Sequence, residues 1–262
     1  MQRLGVNQGS YLGERTDASA FLTTFRQVAV SRHWNLESVP TEAGHSLCMA
    51  HRAARRRQAI PSRRIYLSAG IHGDEPAGPL ALLDLVRNDP FPDDADLWMC
   101  PCLNPAGLEA GTRTNPAGID LNRDYNHLRS AEVRSHLGWL ERAPTFDLAV
   151  MLHEDWEAAG FYLYELNPDQ LPSRASAIIQ AVSGVCPIET ATLIDGRPSD
   201  GSGVIRPATD PLARPDWPEA FWLLQNRCRQ SLTLEAPSDF PLAIRVAALC
   251  TAVRCVLLPE IS

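Results

Sequence analysis

Short apolar runs of strand length alternate along this chain with stretches whose apolar residues recur at helical spacing. The strand-like runs are Ser46–His51, Arg64–Ala69, Asp96–Pro101, Asp147–Leu152, Gly160–Glu165 and Gln230–Glu235. The helix-like stretches are Ala18–Ser31, Pro76–Asn88, Ser130–Arg142, Gln170–Ser183 and Pro241–Leu257. Such alternation predicts an α/β fold: a mostly parallel sheet with helices on both faces. The segment Leu193–Pro218, rich in Gly, Pro, Asp and Ser, reads as a long loop, and loops of that length are often functional. No repeat or low-complexity linker divides the chain, so one domain over residues 1–262 is expected.

The apolar run ending at Ala69 leads into Gly70-Ile-His72-Gly-Asp-Glu75-Pro-Ala-Gly78. Pro76 disfavours helical geometry at Glu75 and suits the start of a helix. Glu75 is therefore expected at a strand-to-helix turn, where open α/β sheets place their ligands. His153 follows a second apolar run, Phe146–Leu152. His72, Glu75 and His153 offer two nitrogens and a carboxylate, the ligand set of a catalytic zinc with one open position. Asp74 and Asp155 are solvated turn residues or partners that orient the histidines, with a second metal site as the less favoured reading. The other histidines (33, 45, 51, 127 and 136) lack this context and read as surface or structural groups.

Composition narrows the classes. A net charge of −7, with no basic run beyond Arg55-Arg-Arg57 and Arg63-Arg64, argues against a nucleic-acid surface. All cations other than histidine are arginine, a chain-wide preference that identifies no site. No stretch reaches the ~18 uninterrupted apolar residues of a membrane span. The N-terminus lacks the apolar core of a signal peptide. Seven scattered cysteines, with Cys100-Pro-Cys102 matching neither a zinc knuckle nor a CxxC pair, predict buried reduced thiols in a cytoplasmic protein.

Between the candidate ligands lies Thr112-Arg113, then Asp120-Leu-Asn122-Arg123, in a Gly/Pro-rich segment. An Asn-Arg pair beside Asp-Leu offers a preorganised anion site. Further on, Ser231-Leu-Thr-Leu-Glu235 ends an apolar strand with one acid. Beside a metal-activated water such an acid is a candidate general base.

This order of elements resembles the zinc carboxypeptidase family. It is most similar to the short bacterial branch that includes murein-tripeptide amidase, and related to the aspartoacylase and succinylglutamate desuccinylase group. The resemblance runs from about Ile65 to Glu235 and implies a three-layer α/β/α fold of the phosphorylase/hydrolase-like kind. It implies one zinc ion held by His72, Glu75 and His153. Arg113 would polarise the scissile carbonyl and stabilise the oxyanion. Asn122 and Arg123 would hold the substrate's terminal carboxylate. Glu235 would take a proton from the attacking water and pass it to the leaving amine.

The expected activity is cleavage of the amide bond next to the terminal, carboxylate-bearing residue of a small peptide. The alternative is deacylation of N-acyl amino acids by the same groups. The absence of a separate domain after Glu235 favours the peptidase. A non-catalytic binding module that kept the fold is the third reading. A serine hydrolase is disfavoured, since no Gly-x-Ser-x-Gly elbow is present. One departure from the family stands out: no tyrosine follows Tyr164. Capping is therefore expected from the Asp200–Gly203 loop, Trp217 or Trp222. Asp200 and Arg206 are candidate contacts for a polar substrate.

Overall fold

A computed structural model describes residues 3–5, 15–41, 45–56, 62–199, 201–208, 210 and 215–257. An eight-stranded mixed sheet runs in the order β1-β2-β4-β3-β5-β10-β6-β9. These strands are β1 (Asn35–Pro40), β2 (Ser46–Arg52), β3 (Arg63–Ala69), β4 (Ala95–Cys100), β5 (Leu148–Asp155), β6 (Tyr162–Leu166), β9 (Val204–Ile205) and β10 (Ser231–Pro237). The central four, β4-β3-β5-β10, are mutually parallel. Strands β1 and β2 and the β10–β6 pair add antiparallel flanks.

Alternation along the strands sorts side chains onto two cores. Ile65 and Leu67 of β3, Val150 and Leu152 of β5, and Leu232 and Leu234 of β10 pack with α1 (Ala18–Ser31), α2 (Ala77–Asn88), α5 (Ala175–Ser183) and α7 (Leu242–Leu257). Tyr66, Ala149 and Met151 face the other way, onto α4 (Ala131–Leu140) and α6 (Glu219–Asn226). This is the expected three-layer α/β/α arrangement with a mixed, mostly parallel sheet.

Connectivity decides where a ligand can sit. From β3 the chain passes through α2 to β4 on one side; from β4 it returns through α4 to β5, on the other side of β3. The two connections cross opposite faces, so a crevice opens above the C-terminal ends of β3 and β5. Such a switch point is where open α/β sheets bind their ligands.

The predicted elements all occur, with shifted ends. Helix α5 begins at Ala175 rather than Gln170, because Gln170 has φ 52° and the Asn167 side chain closes a turn onto Leu171. Strand β1, unpredicted, is an edge strand whose pattern is mostly exposed or half-buried, which leaves little apolar signal. Helix α3 (Pro105–Ala110) was also unpredicted, although Asn104 caps it by accepting from Gly107 N and Gly111 ends it at φ 66°. The long 193–218 segment is partly ordered into structure: β7 (Leu193–Ile194) and β8 (Arg197–Pro198) form a hairpin. Asp195 and Gly196, at φ 47° and 65°, supply the left-handed pair that a two-residue hairpin turn requires. Among the described residues no helix is long and apolar enough to cross a membrane.

Candidate metal centre and cleft

His72 and Glu75 occupy the turn after β3, and their positions follow from how tightly that turn is packed. A Cβ at Gly73 would lie 1.9 Å from the Gly107 carbonyl carbon, so only glycine lets the turn lie against α3. His153 reaches the same place from β5. Its odd-numbered register puts it on the face of Ala149 and Met151, while Leu152 and Glu154 face away.

The three side chains converge. Glu75 Oε1 lies 2.5 Å from His72 Nδ1, and Oε2 lies 2.9 Å from His153 Nδ1. One ligand atom from each falls within 4.8 Å of the others, and all three residues are buried. The two rings meet edge-on, 5.1 Å apart. Two imidazole nitrogens and a carboxylate aimed at one point fit a divalent cation, and no other such group occurs among the described residues. Burial would raise the Glu75 carboxyl, but the two imidazoles hold it far below the ordinary carboxylate range. Burial pushes His153 down. His72 feels the same burial, yet Glu75 and Asp120 outweigh it and its pKa rises.

Asp120 is the functional residue that sequence reasoning passed over. Its Oδ1 lies 3.3 Å from His72 Nε2 and fixes that ring from behind. Oδ2 accepts from Arg113 Nε at 3.0 Å, and Oδ1 also accepts from Asn122 N at 2.9 Å, capping the single 3₁₀ turn Leu121–Arg123. One carboxylate thus ties a candidate ligand to the candidate oxyanion and anion groups. The signal was its place in Asp-Leu-Asn-Arg. Asp74 lines the cleft. Asp155 lines it too, and accepts from Tyr162 Oη at 2.9 Å and Glu157 N at 2.8 Å.

Glu235 is brought in by sheet register, as the Cα partner of His153 on one side and of Tyr162 on the other. Burial pushes its carboxyl well above the usual range, and the charges of Glu75, Asp155 and Asp195 push the same way. Arg113, Asn122 and Arg123 line the same cleft, which encloses about 750 Å³. Asn122 Oδ1 accepts from Glu219 N at 2.8 Å, which anchors its amide to the start of α6. Arg123 Nη1 donates to the Asn122 carbonyl at 2.9 Å.

Several expectations about the cleft's rim need correction. Trp217 stacks edge-on against Phe221, and Trp222 packs near Tyr125; neither lines the cleft. Trp156, Tyr162 and Tyr164 do, with Asp195 and Arg197 from the β7–β8 hairpin. Tyr164 Oη donates to Asp195 Oδ2 at 2.5 Å. Arg206 pairs with the buried carboxylate of Glu165 at 2.9 Å and is not among the lining residues. Asp200 lies outside the described residues, and 201–203 do not line the cleft. His136 is structural, as expected: it is fully buried between Tyr66 Oη and Tyr125 Oη, each 2.8 Å away.

Fold and site together define an α/β/α protein with a candidate metal centre at the switch point of its sheet. Residues 61–182 match the succinylglutamate desuccinylase/aspartoacylase catalytic domain, a span holding every nominated site residue except Glu235. A stretch of 112 residues is 31% identical to carboxypeptidase SOL1 of Arabidopsis thaliana, covering 35% of this chain. The match spans only 23% of the plant protein's length. A candidate metallopeptidase from Shewanella amazonensis superposes with a TM-score of 0.78 at 25% identity, over 93% of this chain and 94% of that one. A metallo-carboxypeptidase from Pseudomonas aeruginosa, solved in complex with (2-guanidinoethylmercapto)succinic acid, superposes at 0.64 and 21% identity, over 90% and 67%. The chain is thus similar in fold to metallo-carboxypeptidases, and in its central segment to the succinylglutamate desuccinylase/aspartoacylase catalytic domain.

Proposed function

We propose that this protein is a zinc-dependent hydrolase that cleaves the amide bond next to a terminal, carboxylate-bearing residue of a small peptide. The observation that carries the reading is the convergence of His72, Glu75 and His153 on one point, with Glu235 the register partner of His153 on the same face. When bound there, zinc supplies electrostatic activation of water and of the scissile carbonyl.

The chain's own residues divide the remaining work. Glu235 accepts a proton from the attacking water at its carboxylate and delivers it to the leaving nitrogen. Burial raises its pKa, which favours the protonated form that delivers the proton to the leaving amine. Arg113, oriented by Asp120 and 3.8 Å from Glu75, faces the negative charge that develops on the carbonyl oxygen. The Arg123 guanidinium and the amide of Asn122 bind the substrate's carboxylate. The binding of a succinic acid derivative by the Pseudomonas aeruginosa protein supports a carboxylate-bearing substrate. The cysteines, all free, support a reducing, cytoplasmic setting.

Deacylation of N-acyl amino acids is the second reading, favoured by the desuccinylase/aspartoacylase match over residues 61–182. Turnover of dipeptides, cell-wall tripeptides and N-succinyl or N-acetyl amino acids by the zinc-loaded protein separates the two. Arg123→Ala is expected to raise KM for whichever carboxylate substrate is turned over. Unchanged kcat/KM in that variant refutes the assigned carboxylate site.

A further inference from the structure

Glu154 follows His153 and leaves the opposite face of β5, where its side chain is completely buried. Its Oε1 accepts from Ala77 N at 2.6 Å, and its Oε2 meets Arg245 Nη1 of α7 at 2.5 Å. Its own backbone N–H donates to Glu75 Oε2 at 3.2 Å. Ala77 opens α2, and the residue at that helix's N-cap, Pro76, provides no side-chain cap. A carboxylate from a distant strand therefore does the capping, two residues after Glu75. The contact is close: a Cβ at Gly78 would lie 2.9 Å from the Leu152 carbonyl oxygen, so the first turn of α2 presses directly on the end of β5.

A buried ion pair adds little stability over well-packed apolar residues, because desolvation offsets its attraction. What this pair does provide is geometry. It couples the segment carrying Glu75 to the strand carrying His153, and Arg245 compensates a carboxylate that has no access to water. The structure assigns Glu154 as a positioning residue of the metal centre: by accepting from Ala77 N it holds Glu75 and His153 in register and so sets metal affinity, while Arg245 compensates its buried charge. This assignment rests on the metal reading above.

Removing one partner strands a buried charge, so the test removes both. Zinc dissociation constants are measured by competition with a chromophoric chelator on metal-free protein, with circular dichroism and Tm checking the fold. Glu154→Gln/Arg245→Met keeps an acceptor for Ala77 and is expected to bind zinc nearly as tightly as the unaltered chain. Glu154→Met/Arg245→Met removes that acceptor and is expected to bind roughly 10–100-fold more weakly, the usual cost of losing a group that orients metal ligands. Equal affinity of the folded Met/Met protein and the unaltered chain overturns the assignment and leaves the metal reading intact. Absence of zinc binding by the unaltered chain overturns both. If the Met/Met protein does not fold, Glu154→Asp decides: it keeps the charge facing Arg245 but shortens the reach to Ala77. Weakened binding supports the assignment and unchanged binding overturns it.

Discussion

Adding zinc should stabilise the folded protein by an amount that can be worked out before the substrate is known. The three ligand atoms already lie within 4.8 Å of one another, and Asp120 braces the His72 ring, so little reorganisation opposes binding. A ligand that binds only the native state contributes RT ln(1 + [L]/Kd), about 4 kcal/mol at roughly a thousandfold excess over Kd. For a chain of this size each kcal/mol moves Tm by roughly 2–4 °C, so the expected rise is about 8–16 °C. Glu75→Gln keeps the side chain's shape and removes the only anionic ligand of the three. If affinity falls about a hundredfold, the same zinc concentration leaves about 1.4 kcal/mol, a rise of only roughly 3–6 °C. Differential scanning calorimetry of metal-free and zinc-loaded protein reads both numbers. A variant that shifts as far as the unaltered chain, or an unaltered chain that does not shift, refutes the convergence of the three side chains on a metal.

Other outcomes follow from the same geometry. Glu235→Gln should lower kcat roughly 10²–10⁴-fold while zinc affinity stays unchanged, because it removes a proton carrier and no ligand; steady-state kinetics beside a zinc titration checks this. Gly73→Ala places a Cβ 1.9 Å from the Gly107 carbonyl carbon, so the His72 turn must move, and zinc binding should weaken sharply in a calorimetric titration. Burial pushes Glu219 up to about 7, although Tyr66 and Ser68 donate to it. A folded pKa above the unfolded value means stability is complete below about 4.5 and declines as pH rises through about 7. Glu219→Gln should remove that decline, worth a few kcal/mol at most, and urea unfolding at pH 5 and pH 8 compares the slopes.

The sheet and its principal helices were legible because burial on both sides imposes apolar runs, and Pro76 marks the start of α2 by local stereochemistry. Edge strand β1 was not, since a strand with one neighbour and mostly wet side chains carries too few apolar positions to register. The seven candidate residues were nominated from their types and order, and the structure brings all of them to one cleft. Asp120 was missed because its work is done on other side chains, through contacts with His72 and Arg113, and its place in Asp-Leu-Asn-Arg was read only for the Asn-Arg pair beside it. The tryptophan caps failed for a related reason: an indole near a loop can face the cleft or the core, and packing against Phe221 and Tyr125 took both inward.

By itself the sequence determined which groups the chain offers for chemistry, because two imidazoles, a carboxylate and a later acid are choices of residue type. It also determined the local turns, because proline and glycine restrict their own backbone angles. Tertiary structure alone decided which groups act together. Sheet register sets Glu235 beside His153, and strand parity turns the Glu154 side chain to the opposite face of the sheet, where it meets Ala77 and Arg245. Those relations join residues separated by 77 to 91 positions along the chain, and only the packing of strands and helices brings them together.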